Sequence, residues 1–226
     1  MKSYDELKAE MEKIQQEMVE LKNQETVQVL FSILNAEYIP DQVEVEAVFS
    51  SDFYTSLHQN NSLYQENNWF PDKYIELLQR KNIKSCFELG SGNGKATQKL
   101  SKFMQSYISV DFNPNPFSHL ENVTCYEGSF FEVPDDVKTE ITISADVLEH
   151  FPPTELSDAI QKLNSIAPLG FHIIAGYPDG MSHLSVFGPW KWLELFRQVD
   201  KKYKLLDIEF RRGRLDQPVY VLSNFD

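Results

Sequence analysis

The chain has 226 residues, 42% of them hydrophobic and 13% aromatic, and a formal net charge of −13. This length fits one α/β domain with an appendage, and the hydrophobic content excludes a wholly disordered chain. The negative charge disfavours nucleic-acid binding, which depends on Lys and Arg. No apolar stretch reaches the roughly 18–20 residues that cross a bilayer. Together with a charged N-terminus that lacks an apolar signal region, this predicts a cytoplasmic protein.

Residues 1–38 are predicted to form one long helix. Its apolar positions alternate four and three residues apart, which is the spacing of a heptad seam. They are Leu7, Met11, Ile14, Met18 and Leu21. The seam lasts about two and a half heptads, fewer than a confident coiled coil needs. Residues 5–34 therefore predict either a short coiled coil that forms a homo-oligomer or a helix packed along its own domain.

Residues 39–69 form a polar connector with several aromatic side chains and weak periodicity. The aromatics indicate packing, either as a lid over a ligand or as a wrap around the scaffold. From Pro71 onward, short apolar strands alternate with amphipathic helices. The predicted strands are 84–89, 107–110, 123–126, 141–145, 171–175, 204–210 and 218–222. The predicted helices are one beginning at Pro71 and those at 94–104, 154–167 and 190–199.

This alternation predicts a Rossmann-like three-layer α/β/α sandwich over residues 70–226. The seven-stranded sheet is expected to be mostly parallel. Its last two strands are separated by a short loop, so we expect them to pair as an antiparallel hairpin at one edge.

A glycine-rich turn lies between the first predicted strand and the following helix. Glu88 stands two residues before the first glycine, and the glycines are spaced G-x-G-x-G. They are Gly90, Gly92 and Gly94. A P-loop would need glycine in place of Leu89 and Ser or Thr in place of Ala96. The NAD fingerprint would need glycine in place of Lys95. The turn still suits a ligand that approaches bare backbone.

The pattern E-x-G-x-G-x-G resembles motif I of the class I S-adenosylmethionine-dependent methyltransferases. The resemblance implies that S-adenosylmethionine is the cofactor and that Glu88 and the three glycines bind it. Asp111, which follows the second strand, would bind the ribose, with Phe112 beside it. A turn residue is the other reading of Asp111, because Asn and Pro residues follow it.

Two later segments extend this resemblance. Ser129 and Phe130 follow the third strand, where the family often has an Asp that contacts the adenine amine. Serine is a weaker acceptor without charge, so this contact departs from the family pattern. Asp146 to His150 read D-V-L-E-H, which is similar to a segment common in small-molecule members of the type 11 and type 23 groups. Asp146 would contact the cofactor. The resemblance covers about residues 70–176.

Three residues are candidates for catalysis: His183, Asp146 and His150. His183 lies between the fifth strand and the next helix, a connection that in this family usually shapes the acceptor pocket. It could serve as a general base, and an ordinary loop histidine is the alternative. His150 is expected in the active-site wall or at the methionine end of the cofactor. No set of His, Cys, Asp or Glu has metal-ligand spacing, so no metal site is predicted.

The predicted function is methyl transfer to a small-molecule or sugar acceptor, on oxygen. The stretch from His183 to Trp192 resembles an H-L…P-x-W pattern in methyltransferase-like proteins linked to glycan modification, and Trp190 could stack on such an acceptor. The alternative is a catalytically inactive methyltransferase-like binding or assembly module, which Ser129 favours. A nucleotide-dependent oxidoreductase is a third possibility, and the glycine spacing speaks against it.

Overall fold

A computed structural model describes residues 28, 37–38, 50–67 and 69–225. The predicted N-terminal helix and its oligomerisation through residues 5–34 therefore lie almost wholly outside the described residues. Gln28 is helical. Glu37–Tyr38 form a short strand, β1, which pairs antiparallel with Val186–Phe187. The predicted extension of the helix to Tyr38 is thus wrong at its end, because these two residues bond to another strand.

The domain contains six described helices and, besides β1, eight strands. The helices are α1 (Ser51–Asn60), α2 (Ser62–Glu66), α3 (Asp72–Arg80), α4 (Lys95–Leu100), α5 (Leu156–Ile166) and α6 (Pro189–Val199). The strands are β2 (Ser85–Leu89), β3 (Ser106–Asp111), β4 (Val123–Glu127), β5 (Ile141–Ala145), β6 (Leu169–Ala175), β7 (Val186–Phe187), β8 (Lys204–Phe210) and β9 (Pro218–Ser223).

Seven strands form one sheet in the order β4-β3-β2-β5-β6-β9-β8. The neighbours from β4 to β6 are parallel, whereas β9 runs antiparallel to both β6 and β8. This confirms the predicted Rossmann-like sheet with its antiparallel edge hairpin. All seven predicted strands of the sheet are present, and their bounds differ from the prediction by two residues at most.

Helices cover both faces of the sheet, which gives the three layers. On one face, buried side chains of α5 and α6, such as Leu163 and Trp192, form one apolar cluster with Phe87 of β2 and Ile174 of β6. On the other face, α3 and α4 bury residues such as Leu78 and Leu100. Each such side chain contributes about 1.5–3 kcal/mol through burial. Pro189 occupies the first turn of α6, where its missing N–H costs no hydrogen bond.

The strand order creates a cleft at the carboxyl edge of the sheet. Strand β2 lies between β3 and β5. The chain continues from β2 to β3 and β4 on one side and then returns to β5 on the other side, so the strand order reverses at β2. Ligands of open α/β sheets bind at such a reversal, outside the carboxyl ends of the strands. Helices α1 and α2 belong to the stretch that the sequence predicted only as a connector. Within residues 50–67 and 69–225, none of the helices has the length and apolarity to cross a membrane.

Candidate active site

The glycine loop leaves one stretch of main chain open. Gly90, Gly92 and Gly94 all have positive φ, at 71°, 51° and 72°. A Cβ at Gly90 would lie 2.4 Å from Cγ2 of Val147, so glycine there allows the loop to pack on the segment after β5. A Cβ at Gly92 would meet, among the described residues, a single atom within 4 Å, Cε1 of His58 at 3.6 Å. Bare backbone at Gly92 therefore faces open space.

Asp111 ends β3 beside this loop. Its Oδ2 accepts a hydrogen bond from the Gly92 N–H at 2.8 Å, and its Oδ1 accepts one from the Asn113 N–H at 2.9 Å. The second bond is the Asx-type turn that the sequence suggested as an alternative, so the carboxylate has a structural part as well. Oδ1 also accepts from Asn113 Nδ2 at 3.5 Å, whereas Oδ2 keeps a further lone pair, so Asp111 can still accept a hydrogen bond from a ligand.

Both features border a cavity of about 380 Å³ at the carboxyl ends of β2, β3 and β5. This is within the range of about 300–1,000 Å³ for small-molecule sites. The predicted site residues that line it are Gly90, Gly92, Asp111, Phe112, Ser129, Phe130, Asp146, His150 and His183. The fold thus brings together residues from the connections that follow five strands, β2 to β6, spread over more than 90 positions of the chain.

Two of the predicted cofactor residues do not line the cavity. Glu88 is buried, and its Oε2 accepts hydrogen bonds from the hydroxyls of Thr97 and Tyr107, at 2.7 and 2.8 Å. Burial raises the pKa of Glu88 to about 7. A Cβ at Gly94 would lie 2.7 Å from the Phe117 ring. Both residues are surrounded by protein atoms, so they support the conformation of the glycine loop on the side away from the cavity.

Aromatic side chains from the predicted connector close the cavity on its outer side. We call Tyr54, His58, Tyr64 and Trp69 the aromatic cover; all four line the cavity. The Tyr54 ring stacks on Phe112 with centroids 5.9 Å apart, and His58 packs edge-on against Tyr64 at 5.6 Å. The Tyr54 hydroxyl is buried and has no hydrogen-bond partner among the described residues. Polar groups of this kind are normally satisfied, so the hydroxyl is available to a ligand.

Asn93 fastens this cover to the glycine loop. Its Nδ2 donates to the backbone carbonyls of Tyr64 at 3.0 Å, Gln65 at 3.3 Å and Asn67 at 2.8 Å. Its Oδ1 accepts from the Lys95 N–H at 3.2 Å. A single amide side chain thus joins the glycine loop to the end of α2.

Asp146 at the end of β5 is bound to an arginine that the sequence did not indicate for the site. Arg211 Nη2 donates to both carboxylate oxygens, at 2.7 and 2.6 Å. The guanidinium also lies 4.9 Å from the ring centroid of Trp69 and 5.9 Å from that of Tyr177. Asp146 has φ +54°, an unusual value for a residue other than glycine. The ion pair therefore links the edge hairpin to the centre of the cavity.

His150 and His183 form the deep wall of the cavity, with ring centroids 4.9 Å apart. His183 Nδ1–H donates to the Tyr177 carbonyl at 2.6 Å, and His150 Nδ1–H donates to the Ser182 carbonyl at 3.0 Å. Since a carbonyl only accepts, Nδ1 of each ring carries a proton, and the neutral form of each ring has its lone pair on Nε2. Burial, together with the neighbouring His183, lowers the pKa of His150 to about 3.

Two carboxylates lie behind these histidines. Glu149 Oε1 and Asp179 Oδ2 are 4.0 and 3.9 Å from His183 Nε2. Burial, and then the charge of Asp146, raise the pKa of Glu149 well above its usual range. Asp179 behaves oppositely: burial alone would raise its pKa, but His183 and hydrogen bonds from Ser182 and His183 lower it. The sequence did not reveal that these carboxylates and histidines lie together, because Glu149 and His150 follow β5 whereas Asp179 and His183 lie between β6 and β7.

Two further histidines and Trp190 lie outside the cavity lining. His172 is buried under α6, where its Nδ1 lies 2.9 Å from the Ser144 hydroxyl and its ring stacks on Phe196. His119 is exposed, outside the cavity lining, with its Nδ1 3.1 Å from the Pro116 carbonyl. Trp190 is 57% exposed and does not line the cavity, so the structure does not support its stacking on an acceptor there.

No protein-family profile matches the sequence, and no curated protein is similar to it. Solved structures with the same fold do exist. One is 1,6-didemethyltoxoflavin-N1-methyltransferase from Burkholderia thailandensis, crystallised with 1,6-didemethyltoxoflavin and S-adenosylhomocysteine. It has a TM-score of 0.64 and 16% identity over 82% of this chain and 90% of that chain. The N-methyltransferase NodS from Bradyrhizobium japonicum, with S-adenosylhomocysteine, has a TM-score of 0.55 and 15% identity over 76% and 98% of the two chains.

A third neighbour is the N-terminal domain of EvdMO1, crystallised in the presence of S-adenosylhomocysteine and D-fucose. It has a TM-score of 0.55 and 10% identity, over 70% of this chain and 83% of that chain. At such identities the likeness concerns the fold. The chain therefore has the Rossmann-like fold that S-adenosylmethionine-dependent methyltransferases share.

Proposed function

We propose that this protein is an S-adenosylmethionine-dependent methyltransferase that acts on an oxygen of a small-molecule or sugar acceptor. The observation that carries the proposal is the open backbone at Gly92, bordered by the Asp111 carboxylate, in a cavity of about 380 Å³. The fold neighbours crystallised with S-adenosylhomocysteine support the choice of cofactor.

The cavity has the chemistry that such a cofactor needs. We assign the ribose to Asp111, whose Oδ2 has a lone pair to spare, and the adenine ring to the side of Phe112, Ser129 and Phe130. Gly90 and Gly92 allow close approach to the main chain. At the methionine end, Asp146 and its partner Arg211 present one anionic and one cationic group. Glu88 and Gly94 support the loop rather than touch the cofactor.

The bound cofactor supplies an electrophilic methyl group on a sulfonium, so the protein mainly positions the acceptor and excludes water. His183 and His150 face the acceptor side. The Tyr177 carbonyl fixes the proton of His183 on Nδ1, which leaves Nε2 to accept the proton of an acceptor hydroxyl. The pKa of His150 is about 3, so this ring stays neutral at physiological pH and serves as wall and hydrogen-bond partner.

The acceptor class follows from the charge and the size of the site. Carboxylates at Asp111, Asp146 and Asp179 line the cavity, which disfavours a polyanionic acceptor. Arg211 and Arg212 line it as well, and Arg211 is engaged with Asp146. The neighbour with a bound acceptor acts on 1,6-didemethyltoxoflavin, a small molecule, and another was crystallised in the presence of D-fucose.

Calorimetric titration with S-adenosylhomocysteine tests this proposal. We expect one site per chain, and we expect Asp111→Ala to lose at least about tenfold in affinity, or ~1.4 kcal/mol. Asp216→Ala is the matched control, because that exposed carboxylate pairs with Arg214 outside the cavity. Equal affinity of a folded Asp111→Ala variant would contradict the ribose assignment. Incubation with labelled S-adenosylmethionine and a panel of acceptors would then identify the substrate by mass spectrometry.

A further inference from the structure

Three side chains with metal-binding atoms meet at the base of the cavity: Glu149, His150 and His183. The first two belong to the short turn after β5, and His183 comes from the loop between β6 and β7. One ligand atom from each lies within 4.8 Å of the other two. All three side chains are buried, with Glu149 at 0% exposure. The cluster is thus held by the packed interior.

Both imidazoles are already oriented as metal ligands usually are. Each donates its Nδ1–H to a backbone carbonyl, His183 to Tyr177 and His150 to Ser182. Metal-ligating histidines almost always donate their second ring N–H in this way, which fixes the tautomer and makes the other nitrogen more basic. The Nε2 lone pairs are therefore available to a cation.

Glu149 supplies an independent sign of a missing partner. Its Oε1 accepts from the Ala175 N–H at 3.0 Å, but its Oε2 is buried without a hydrogen-bond partner in the described part of the chain. An unpaired carboxylate oxygen in the interior is costly unless a cation or a proton satisfies it. Arg211, the nearest guanidinium, already donates to Asp146.

We propose that Glu149, His150 and His183 bind one divalent transition-metal cation of the zinc class. Two imidazole nitrogens and one carboxylate oxygen suit Zn²⁺ or Co²⁺, whereas Mg²⁺ and Ca²⁺ prefer oxygen ligands. A tetrahedral ion with bonds of about 2.1 Å holds its ligands roughly 3.4 Å apart. The ligand atoms lie within 4.8 Å of one another, so a pair at that separation would close by about 1.4 Å when the ion binds (4.8 − 3.4).

Three protein ligands leave the fourth position of such an ion open, as in catalytic sites. His150 and His183 line the cavity, so this position faces the acceptor side. On the proposed function, an oxygen of the acceptor occupies it, and the cation positions that oxygen. With the cation bound, Nε2 of His183 is a ligand, so proton acceptance by His183 belongs to the cation-free protein.

Zinc binding by the full-length chain, after treatment with a chelator and dialysis, tests the site. Competition with a chromophoric chelator should give one Zn²⁺ per chain, and Co²⁺ should give absorption bands of a low-coordinate ion. His183→Ala and Glu149→Gln should each weaken Zn²⁺ by about 100-fold, the upper end of losses for residues that support metal sites. His119→Ala is the matched control, because His119 is exposed and outside the cluster, and it should bind as the wild type does.

Near-UV circular dichroism shows whether each cluster variant has folded. If one of His183→Ala and Glu149→Gln has not folded, the Zn²⁺ affinity of the other variant tests the site. Absence of Zn²⁺ binding by the wild type would overturn the site and favour a protonated Glu149. Equal binding by the folded cluster variants would overturn it as well, since the metal would then sit elsewhere. Titration of the same samples with S-adenosylhomocysteine separates the two proposals: cofactor binding without Zn²⁺ binding rejects the cation site alone.

Discussion

At the scale of single residues, Gly92 has two separable properties: a strained backbone and an open space beside it. Its φ of 51° penalises any side chain, by roughly 1–2 kcal/mol. Gly92→Ala also places a methyl group in the cavity. We therefore expect Gly92→Ala to lose about 1 kcal/mol of unfolding free energy and at least tenfold in affinity for S-adenosylhomocysteine, measured by denaturation and calorimetry.

Gly213→Ala separates these two effects. Gly213 has a φ of 70°, and an added Cβ would meet no atom of the described residues within 4 Å. This control should show a similar loss of stability and no loss of affinity. If both variants bind the ligand as well as the wild type does, the nucleoside does not lie over Gly92.

Glu88 predicts a pH dependence of stability. Its pKa of about 7 in the folded protein exceeds the ordinary value near 4.3. Between these values Glu88 binds more protons in the folded state than in the unfolded state, so its contribution to the unfolding free energy falls as pH rises from about 4.5 to 7, by about 3 kcal/mol in total. Burial lowers the pKa of His150 and of His172 to about 3, so these two residues contribute in the opposite direction over part of this range. Urea denaturation at several pH values therefore measures the Glu88 contribution as the difference between the wild type and a variant that lacks this carboxyl.

Glu88→Gln cannot titrate, and its amide oxygen can still accept from Thr97 and Tyr107. Between pH 4.5 and 7, the unfolding free energy of this variant should therefore gain about 3 kcal/mol relative to that of the wild type. Glu76→Gln, at an exposed position of α3, should keep the pH profile of the wild type. An identical pH profile in wild type and Glu88→Gln would show that Glu88 titrates in the folded protein as it does in the unfolded chain.

At the scale of elements, the aromatic cover depends on Asn93. Asn93→Asp keeps the acceptor to the Lys95 N–H but replaces the donor to three carbonyls with a negative charge. We expect the end of α2 to detach from the glycine loop. Chymotrypsin should then cleave faster at the aromatic residues of 50–67, and affinity for S-adenosylhomocysteine should fall severalfold.

The control is Asn122→Asp. The Asn122 amide likewise donates to two backbone carbonyls, those of Ser101 and Met104, but far from the cavity lining. It should cost stability without changing ligand affinity or cleavage within the cover. Unchanged cleavage and affinity in Asn93→Asp would mean that the cover is held by its ring contacts instead.

The elements of the sheet could be predicted because their apolar residues follow the period of a strand or helix buried on a flat surface. Strand β5 and the hairpin strand β8 have the predicted bounds. Helices α1 and α2 could not be predicted this way. Their buried or half-buried side chains, such as Tyr54 and Tyr64, face a cavity lined by loops, so polar and aromatic residues replace an aliphatic stripe.

At the scale of the whole molecule, the motif at the glycine loop predicted the carboxyl edge of β2, β3 and β5 as the site, and the cavity lies there. The sequence did not predict contacts between residues that the strand order alone brings together. Arg211 reaches Asp146 from 65 positions away because β9 and β8 extend the sheet beside β6. The resemblance to motif I implied that Glu88 binds the cofactor, yet strand alternation turns its carboxyl toward Thr97 and Tyr107.

A crystal structure of the full-length protein grown with S-adenosylhomocysteine tests the central claim most directly. The account predicts the nucleoside between the Gly92 backbone and the aromatic cover, with its ribose hydroxyls donating to Asp111 and its amino-acid end toward Asp146 and Arg211. A cleft that stays empty at saturating ligand, or a ligand bound away from Gly92, would contradict it.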